Sequence, residues 1–392
     1  MKIIHCCLAA YYIDNHSYQE NILPKIHKQL GYDVSIVAST ETWIDNKNLG
    51  YVKSSSYKNE DSIPVTRTDY VKWLPHVISK KLRIYNGLSK ILNDFKPDII
   101  FLHDVQFISI IEVIKYMNQH EKVILFADGH TDFINSARTW LSKNILHKVI
   151  YKYCAQRIEP YAQKFWGVTP SRVDFYIDVY GINKNKVDLL VMGIDESVID
   201  FKNKISIRKN IRNELGITQD AFTIITGGKI EENKNIHFLM RAIIELGFDN
   251  INLIVFGSAD DKMKSEITEL SKSNRIRNIG WISSKEVYNY YFASDLAFFP
   301  GTHSVLWEQA VGIGLPCVFK RWNGMEHVDV GGNCLFLKEG NLEEIKNTIV
   351  KINSEKKLYS DMLQVASGKG VSEFSYLNIA KKSIQIDDKK IN

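Results

Sequence analysis

Short apolar stretches rich in β-branched residues alternate along this chain with longer amphipathic ones, and that alternation limits the fold more than any other feature. In the first half the short stretches are Lys2-Ile3-Ile4-His5, Asp33-Val34-Ser35-Ile36-Val37, Asp98-Ile99-Ile100-Phe101-Leu102, Lys122-Val123-Ile124-Leu125-Phe126 and Lys164-Phe165-Trp166-Gly167-Val168. Helical patterns lie between them, as from Tyr18 to Leu30, where Ile22, Ile26 and Leu30 recur at helical spacing before Gly31. Strands that read as continuous apolar runs and are separated by helices predict parallel sheets covered on both faces. A second series follows the polar, Lys-rich stretch 201–215, with strands expected at 221–226, 252–256, 295–299, 316–319 and 333–336. The length of 392 residues exceeds what one growing core accommodates. The expectation is therefore α/β, two doubly wound domains joined near residue 200. Such sheets bind ligands beyond the carboxyl ends of their strands, which is where the polar clusters of this sequence fall.

Two clusters lie in the second half. The strand ending at Thr226 runs into Gly227-Gly228-Lys229-Ile230-Glu231-Glu232-Asn233-Lys234-Asn235 and then a helix. Glycines let backbone approach a bulky ligand, lysines supply cations, and a helix start supplies unpaired N–H groups, a combination suited to a diphosphate. An ordinary turn with exposed lysines is the competing reading. The strand ending at Phe299 runs into Pro300-Gly301-Thr302-His303-Ser304, then a helix holding Glu308. Ser304 is expected to cap that helix, and Glu308, four residues on, to share its face and point toward a pocket mouth. A carboxylate there can accept hydrogen bonds from two adjacent sugar hydroxyls, such as those of a ribose. The competing reading is a surface glutamate, although Trp307, Ala310 and Val311 make the helix look buried.

In the first half, His103-Asp104 and Asp128-Gly129-His130 both follow apolar strands. A histidine at a strand's carboxyl end can serve a developing charge, or it can be a hydrogen-bonded core residue. His130, next to Gly129, fits the first reading better. No His-x-x-x-His or comparable spacing supports a zinc site.

The composition, 45% hydrophobic and 24% charged, is that of a soluble globular protein. No run of about 18 apolar residues occurs, and the N-terminus reads straight into a strand without a signal-peptide pattern, so a cytoplasmic location is expected. Cys6, Cys7, Cys154, Cys317 and Cys334 show no Cys-x-x-Cys spacing and are expected as buried reduced thiols. The net charge of +5 is modest, yet cations mix with large apolar groups in Lys72-Trp73-Leu74, Lys80-Lys81-Leu82-Arg83 and Arg138-Thr139-Trp140-Leu141-Ser142-Lys143, followed by His147, Lys148 and Lys152. That mixture suits the surface of an anionic membrane, or else a solvated basic helix face. No nucleic-acid motif accompanies it.

The order of features resembles family 4 glycosyltransferases of the GT-B fold. The resemblance rests on Gly227-Gly228-Lys229 with Lys234-Asn235, Val255-Phe256-Gly257, Ile279-Gly280-Trp281, Tyr291 to Asp295, Trp307-Glu308-Gln309-Ala310 and Gly314-Leu315-Pro316. Gly129-His130, Gly167-Val168-Thr169 and Val191 to Asp195 are similar too. The resemblance implies two Rossmann-like domains facing across a cleft: 1–198 on the acceptor side, 199–373 for the nucleotide sugar, and 374–392 as a helix crossing back. It implies metal-independent transfer, with retention, from a nucleotide-diphosphate sugar, UDP being the expected base, to a glycan or lipid-linked acceptor in bacterial surface polysaccharide assembly. No cofactor and no metal are implied, the basic pair Lys229 and Lys234 standing in electrostatically for the ion. Glu308 matches the ribose ligand, the second Glu of the family's Glu-x7-Glu motif, and His130 the histidine facing the transferred sugar. Those two and Lys234 form the expected catalytic set; Gly228, Lys229, Gly257, Ile279, Thr302, His303, Ser304 and Val305 complete the donor site.

Two departures stand out. Pro300 occupies the place of the first Glu, the loop being shorter, and the residues Ala10 to Glu20 lack the usual paired glycines. On the acceptor side the expected contacts are Asp14, Tyr18 and His103. Two other readings stay open: a nucleotide-sugar epimerase of similar fold, and a non-catalytic nucleotide-sugar-binding partner in a glycan assembly complex.

Overall fold

The computed structural model describes residues 1–9, 11–44, 48–132, 136 and 139–385. Its chain divides into one unit of residues 1–191 with 379–392 and a second of residues 192–378.

The first unit is built on an eight-stranded sheet. In spatial order its strands are Val187–Leu189, Ala162–Gly167, Ile124–Gly129, Ile99–His103, Lys2–Cys7, Asp33–Ser39, Pro64–Thr68 and Ser55–Lys58. All neighbours run parallel except the last pair. From the central strand Lys2–Cys7 the chain first builds outward through Asp33–Ser39 and Pro64–Thr68, then returns to place Ile99–His103 on its other side. The strand order thus reverses between Lys2–Cys7 and Ile99–His103, and their carboxyl ends open the crevice that such sheets use for ligands. The helix Gln19–Gln29 ends where Gly31 takes φ +92°, a left-handed value that glycine adopts without strain.

The second unit has a six-stranded, wholly parallel sheet in the order Ile276–Gly280, Ile251–Ala259, Phe222–Ile230, Leu296–Phe299, Cys317–Lys320 and Cys334–Leu337. The expected strands are all present. Those at 41–43, 49–51, 55–58, 64–68, 187–189 and 276–280 were not expected, being polar or short. The Lys-rich stretch is not a connector: residues Lys204–Glu214 form a helix of the second unit, whose Arg212 is fully buried and, with Arg208, holds Asp295. The division between units falls earlier than residue 198, because Ile194 already pairs with Ser375 and exchanges backbone bonds with Phe374 and Tyr376 inside the second unit. For the same reason the return to the first unit comes at Ile379, not at Phe374. All five cysteines are buried. Among the described residues no helix is long and apolar enough to cross a membrane.

Candidate functional site

In the second unit three glycine-dependent segments meet at the carboxyl ends of the strands. Gly228 and Gly257 take φ +106° and +111°, and a Cβ on Gly257 would overlap the Gly228 carbonyl oxygen. A Cβ on Gly301 would overlap the backbone of Asn233 and Lys234. The loop 300–304 is thereby pressed onto the turn before the helix Ile236–Leu246, where Thr302 N–H donates to Asn233 O at 3.1 Å. Asn235 adds bonds from its amide nitrogen to Pro300 O and Gly340 O, both 3.1 Å. Lys234 Nζ donates to Thr302 O at 2.9 Å and His303 O at 3.2 Å. It has no carboxylate partner among the described residues, and burial lowers its pKa. Lys229 is exposed and pairs instead with Glu231, so the two lysines do not act as one pair here.

Glu308, on the helix Leu306–Gly312, is fully buried. Its Oε1 accepts from His303 Nε2 at 2.8 Å and His327 Nε2 at 2.9 Å, while Oε2 has no hydrogen-bond partner among the described residues. Burial pushes this carboxyl up, but His303 and His327 outweigh it and hold it well below the usual carboxylate range. The expectation of a carboxylate at an open pocket mouth is therefore corrected: the short loop lays His303 against it. Ser304 does not cap the helix, which starts after Val305 without any side-chain cap bond. Val305 is exposed, and Thr302 and Ser304 are half-buried. Ile279 is half-buried at the end of an edge strand, before the left-handed Gly280.

In the first unit His130 follows the strand Ile124–Gly129, its Nε2 lying 3.3 Å from Asp128 Oδ1, an ion-pair distance. Burial alone would lower the His130 pKa, but the Asp128 carboxylate raises it to about 9. Burial pushes Asp128 up, and His103 and His130 more than reverse that. Behind the pair runs a line of buried rings. His103 Nδ1 meets Asp128 Oδ2 at 3.0 Å, His103 Nε2 meets His5 Nδ1 at 2.9 Å, and His5 Nε2 meets His27 Nδ1 at 3.0 Å. His27 Nε2 then reaches Ala380 O and Ser383 Oγ, both at 3.1 Å. A carbonyl oxygen only accepts, and Ser383 Oγ already donates to Ala380 O at 2.8 Å, so His27 Nε2 carries the hydrogen. Each following link is then fixed in direction, His5 donating to His27 and His103 to His5.

His103 is thus a core residue and not an acceptor contact, which corrects that expectation. Asp14 is also committed internally, to Arg67 at 3.0 Å and to the Tyr57 hydroxyl. Tyr18 stays half-exposed just before the helix Gln19–Gln29. His5, His27 and His327 escaped the sequence reading. A histidine inside an apolar strand is a visible signal for His5, but His327 lies in a short helical turn with no spacing to Glu308 that could be read. Two groups, His103 with Asp128 and His130, and His303 with Glu308 and His327, have donor atoms within 4.8 Å of one another, residue types a divalent cation also accepts. Each group is closed by its own imidazole–carboxylate contacts.

Of the basic-aromatic segments, Trp73, Trp140 and Leu141 are exposed. Lys80 pairs with buried Glu41 at 2.5 Å, and His147 is buried between Ser136 and Tyr180. Arg138 lies outside the described residues.

Two doubly wound parallel sheets with glycine turns and a cationic loop at their strand ends define the GT-B class. Residues 207–367, within the second unit, match the model of the family described as glycosyl transferases, group 1. An uncharacterized glycosyltransferase of Methanocaldococcus jannaschii is 21% identical over 56% of this chain and 58% of its own length. Mannosylfructose-phosphate synthase of Agrobacterium fabrum is 20% identical over 65% and 59%. The chain thus spans less than two thirds of the length of these relatives. Among solved structures, HepE of Anabaena in complex with UDP superposes with a TM-score of 0.66 at 15% identity, covering 97% of this chain and 98% of that one. The UDP-GlcNAc 2-epimerase of Neisseria meningitidis, bound to UDP-GlcNAc, gives 0.60 at 14%, covering 97% and 98%.

Proposed function

We propose that the protein transfers a sugar from a nucleoside-diphosphate donor, with UDP as the base, to an acceptor hydroxyl. The observation that carries this reading is Lys234, an ammonium half-buried beyond the strand Phe222–Ile230 that forms no ion pair among the described residues, the nearby Glu231 being paired with Lys229. Two of its three N–H groups grip the carbonyls of Thr302 and His303. A diphosphate would take the third and neutralise a charge that burial now disfavours, without a metal. Glu308 fixes His303, and with it the loop whose amides and hydroxyls face the same ligand. Its partnerless Oε2 would serve a ribose hydroxyl once that loop yields. His130, held as an imidazolium by Asp128, offers a donor to a sugar hydroxyl.

The finer parts of the proposal are retention at the anomeric carbon, a glycan or lipid-linked acceptor, and a role in bacterial surface polysaccharide assembly. They rest on the family resemblance. The exposed Trp73, Trp140 and Leu141, with lysines around them, support contact with an anionic membrane.

Titration with UDP in EDTA tests the donor site. Lys234→Ala and Glu308→Gln should each weaken UDP binding by roughly 1.5 to 3 kcal/mol, the range for charge-assisted hydrogen bonds. Unchanged affinity in both variants would remove the donor site from this loop. The epimerase reading draws support from the His303–Glu308–His327 cluster, which supplies acid and base groups beside the loop. Incubation with nucleotide sugars and a lipid-linked glycan extract separates the two: a transferase releases nucleoside diphosphate, an epimerase yields a new nucleotide sugar and releases none.

A further inference from the structure

A cavity of about 170 Å³ in the first unit is used by nothing described so far. It lies beyond the carboxyl ends of Lys2–Cys7 and Asp33–Ser39, beside the point where the strand order reverses, with Leu8, Ser39 and Glu41 in its wall. Its cations are Lys80, Lys81 and Arg83, and its one carboxylate is Glu41, an excess of two positive charges. Glu41 is committed to Lys80 and to the Tyr70 hydroxyl, 3.2 Å away. Lys81 and Arg83 have no carboxylate partner among the described residues.

Arg83 is placed there at a cost. It ends the helix His76–Leu82 in a left-handed conformation, φ 52° and ψ 61°, which a non-glycine residue holds only when its surroundings enforce it. The Ile108 N–H, donating to Leu82 O, and the Tyr85 N–H, donating to Ser109 Oγ, supply that enforcement. The turn swings the guanidinium inward over the Tyr151 ring, 5.3 Å from its centroid. Nη1 donates to Gln106 O at 2.9 Å and Oε1 at 3.2 Å, leaving Nε and Nη2 without a partner among the described residues. Those two nitrogens form one edge of the guanidinium, the edge that matches two oxygens of a tetrahedral oxyanion. Four tyrosines complete the wall, rings suited to the apolar face of a hydroxylated body.

We propose that this cavity binds a terminal phosphoryl group, two negative charges, and that Arg83 and Lys81 hold it. If the protein is the transferase proposed above, this group belongs to the acceptor; that assignment rests on the transferase reading, whereas phosphoryl binding itself does not. The group can come from a soluble sugar phosphate or from a lipid headgroup, and the test separates them.

The full chain is titrated with inorganic phosphate, with hexose 6-phosphates, and with phosphatidylcholine vesicles containing or lacking phosphatidic acid. UDP is titrated alongside. Binding of at least one phosphoryl probe is expected, weakened tenfold or more in Lys81→Met, with UDP affinity unchanged. Arg83→Lys, which keeps the charge but loses the two-nitrogen edge, should weaken it too and guards against misfolding of a bolder change. Hexose phosphate binding identifies a soluble source, and a requirement for phosphatidic acid a lipid one. The proposal is overturned if a wild-type protein that binds UDP binds none of the probes. Equal phosphoryl affinity in both variants overturns it as well, as does loss of that affinity in Lys234→Ala instead. Phosphoryl binding through Lys81 and Arg83 without UDP binding would keep the cavity and sink the transferase.

Discussion

Burial lowers the pKa of both His130 and His27, but only His130 has a carboxylate beside it that reverses the shift. Asp128 raises His130 from 6.5 to about 9, so its contribution is full below pH 6.5 and is lost as pH climbs through 9. Desolvation lowers His27 to about 4, and His147 likewise, so folding is penalised as pH falls from 6.5 toward 4, where the unfolded chain binds protons that the folded one refuses. The first unit should therefore be most stable near neutral pH, each limb amounting to at most about 3 kcal/mol per histidine. His130→Gln should flatten the alkaline limb and leave the acid limb, as urea unfolding near pH 5, 7 and 9 would show. An unaltered alkaline limb would mean that another group sets it. At this scale the sequence spoke unevenly. Glu308 and His130 could be singled out because each sits where a strand's carboxyl end meets a polar turn. Their partners could not be, since hydrogen bonds such as His5 to His103 join residues of different strands and leave no spacing to read.

Elements were far more legible, for a physical reason. A parallel strand covered on both faces must be apolar throughout, so Ile99–His103 and Leu296–Phe299 announce themselves, while Ser55–Lys58, at a sheet edge with exposed residues, carries no such signature. The helix Lys204–Glu214 was hidden by its charge, because the burial of Arg212 depends on Asp295, far along the chain. Between strands Phe222–Ile230 and Ile251–Ala259 the constraint is backbone approach. Gly257 is paired in register with Gly228 at a left-handed φ, and any Cβ would meet the neighbouring carbonyl. Gly257→Ala should cost at least about 2 kcal/mol, combining backbone strain with the overlap. It should weaken UDP binding as well, because the strand pressed against Gly257, Phe222–Ile230, carries Lys229 and leads into the turn that holds Lys234. A variant with unaltered melting temperature would show that the two strands can part without penalty.

At the scale of the whole molecule, the chain begins and ends its described path in one unit. Ile379, Ala380, Ser383 and Ile384 are buried there, with Ala380 O and Ser383 Oγ satisfying His27 and Ser383 O satisfying the Trp166 indole at 2.9 Å. A chain stopped after Asn378 would lose these side chains from the first unit and leave the second unit's residues whole. Two isoleucines contribute roughly 1.5 to 3 kcal/mol each, and each orphaned buried nitrogen costs about 1 to 3 more. The sum, on the order of 5 to 12 kcal/mol, is comparable to the entire stability of a typical domain. The truncated chain should therefore lose amide protection throughout Lys2–Cys7 and Ile99–His103 while Phe222–Ile230 and Leu296–Phe299 keep theirs. UDP binding should survive, because every donor-side residue lies between 228 and 327. Phosphate binding through Arg83 should vanish with the first sheet. Hydrogen exchange on the two chains, read strand by strand, decides it: protection of Lys2–Cys7 in the truncated chain would show that the His27 end of the buried line needs no cover.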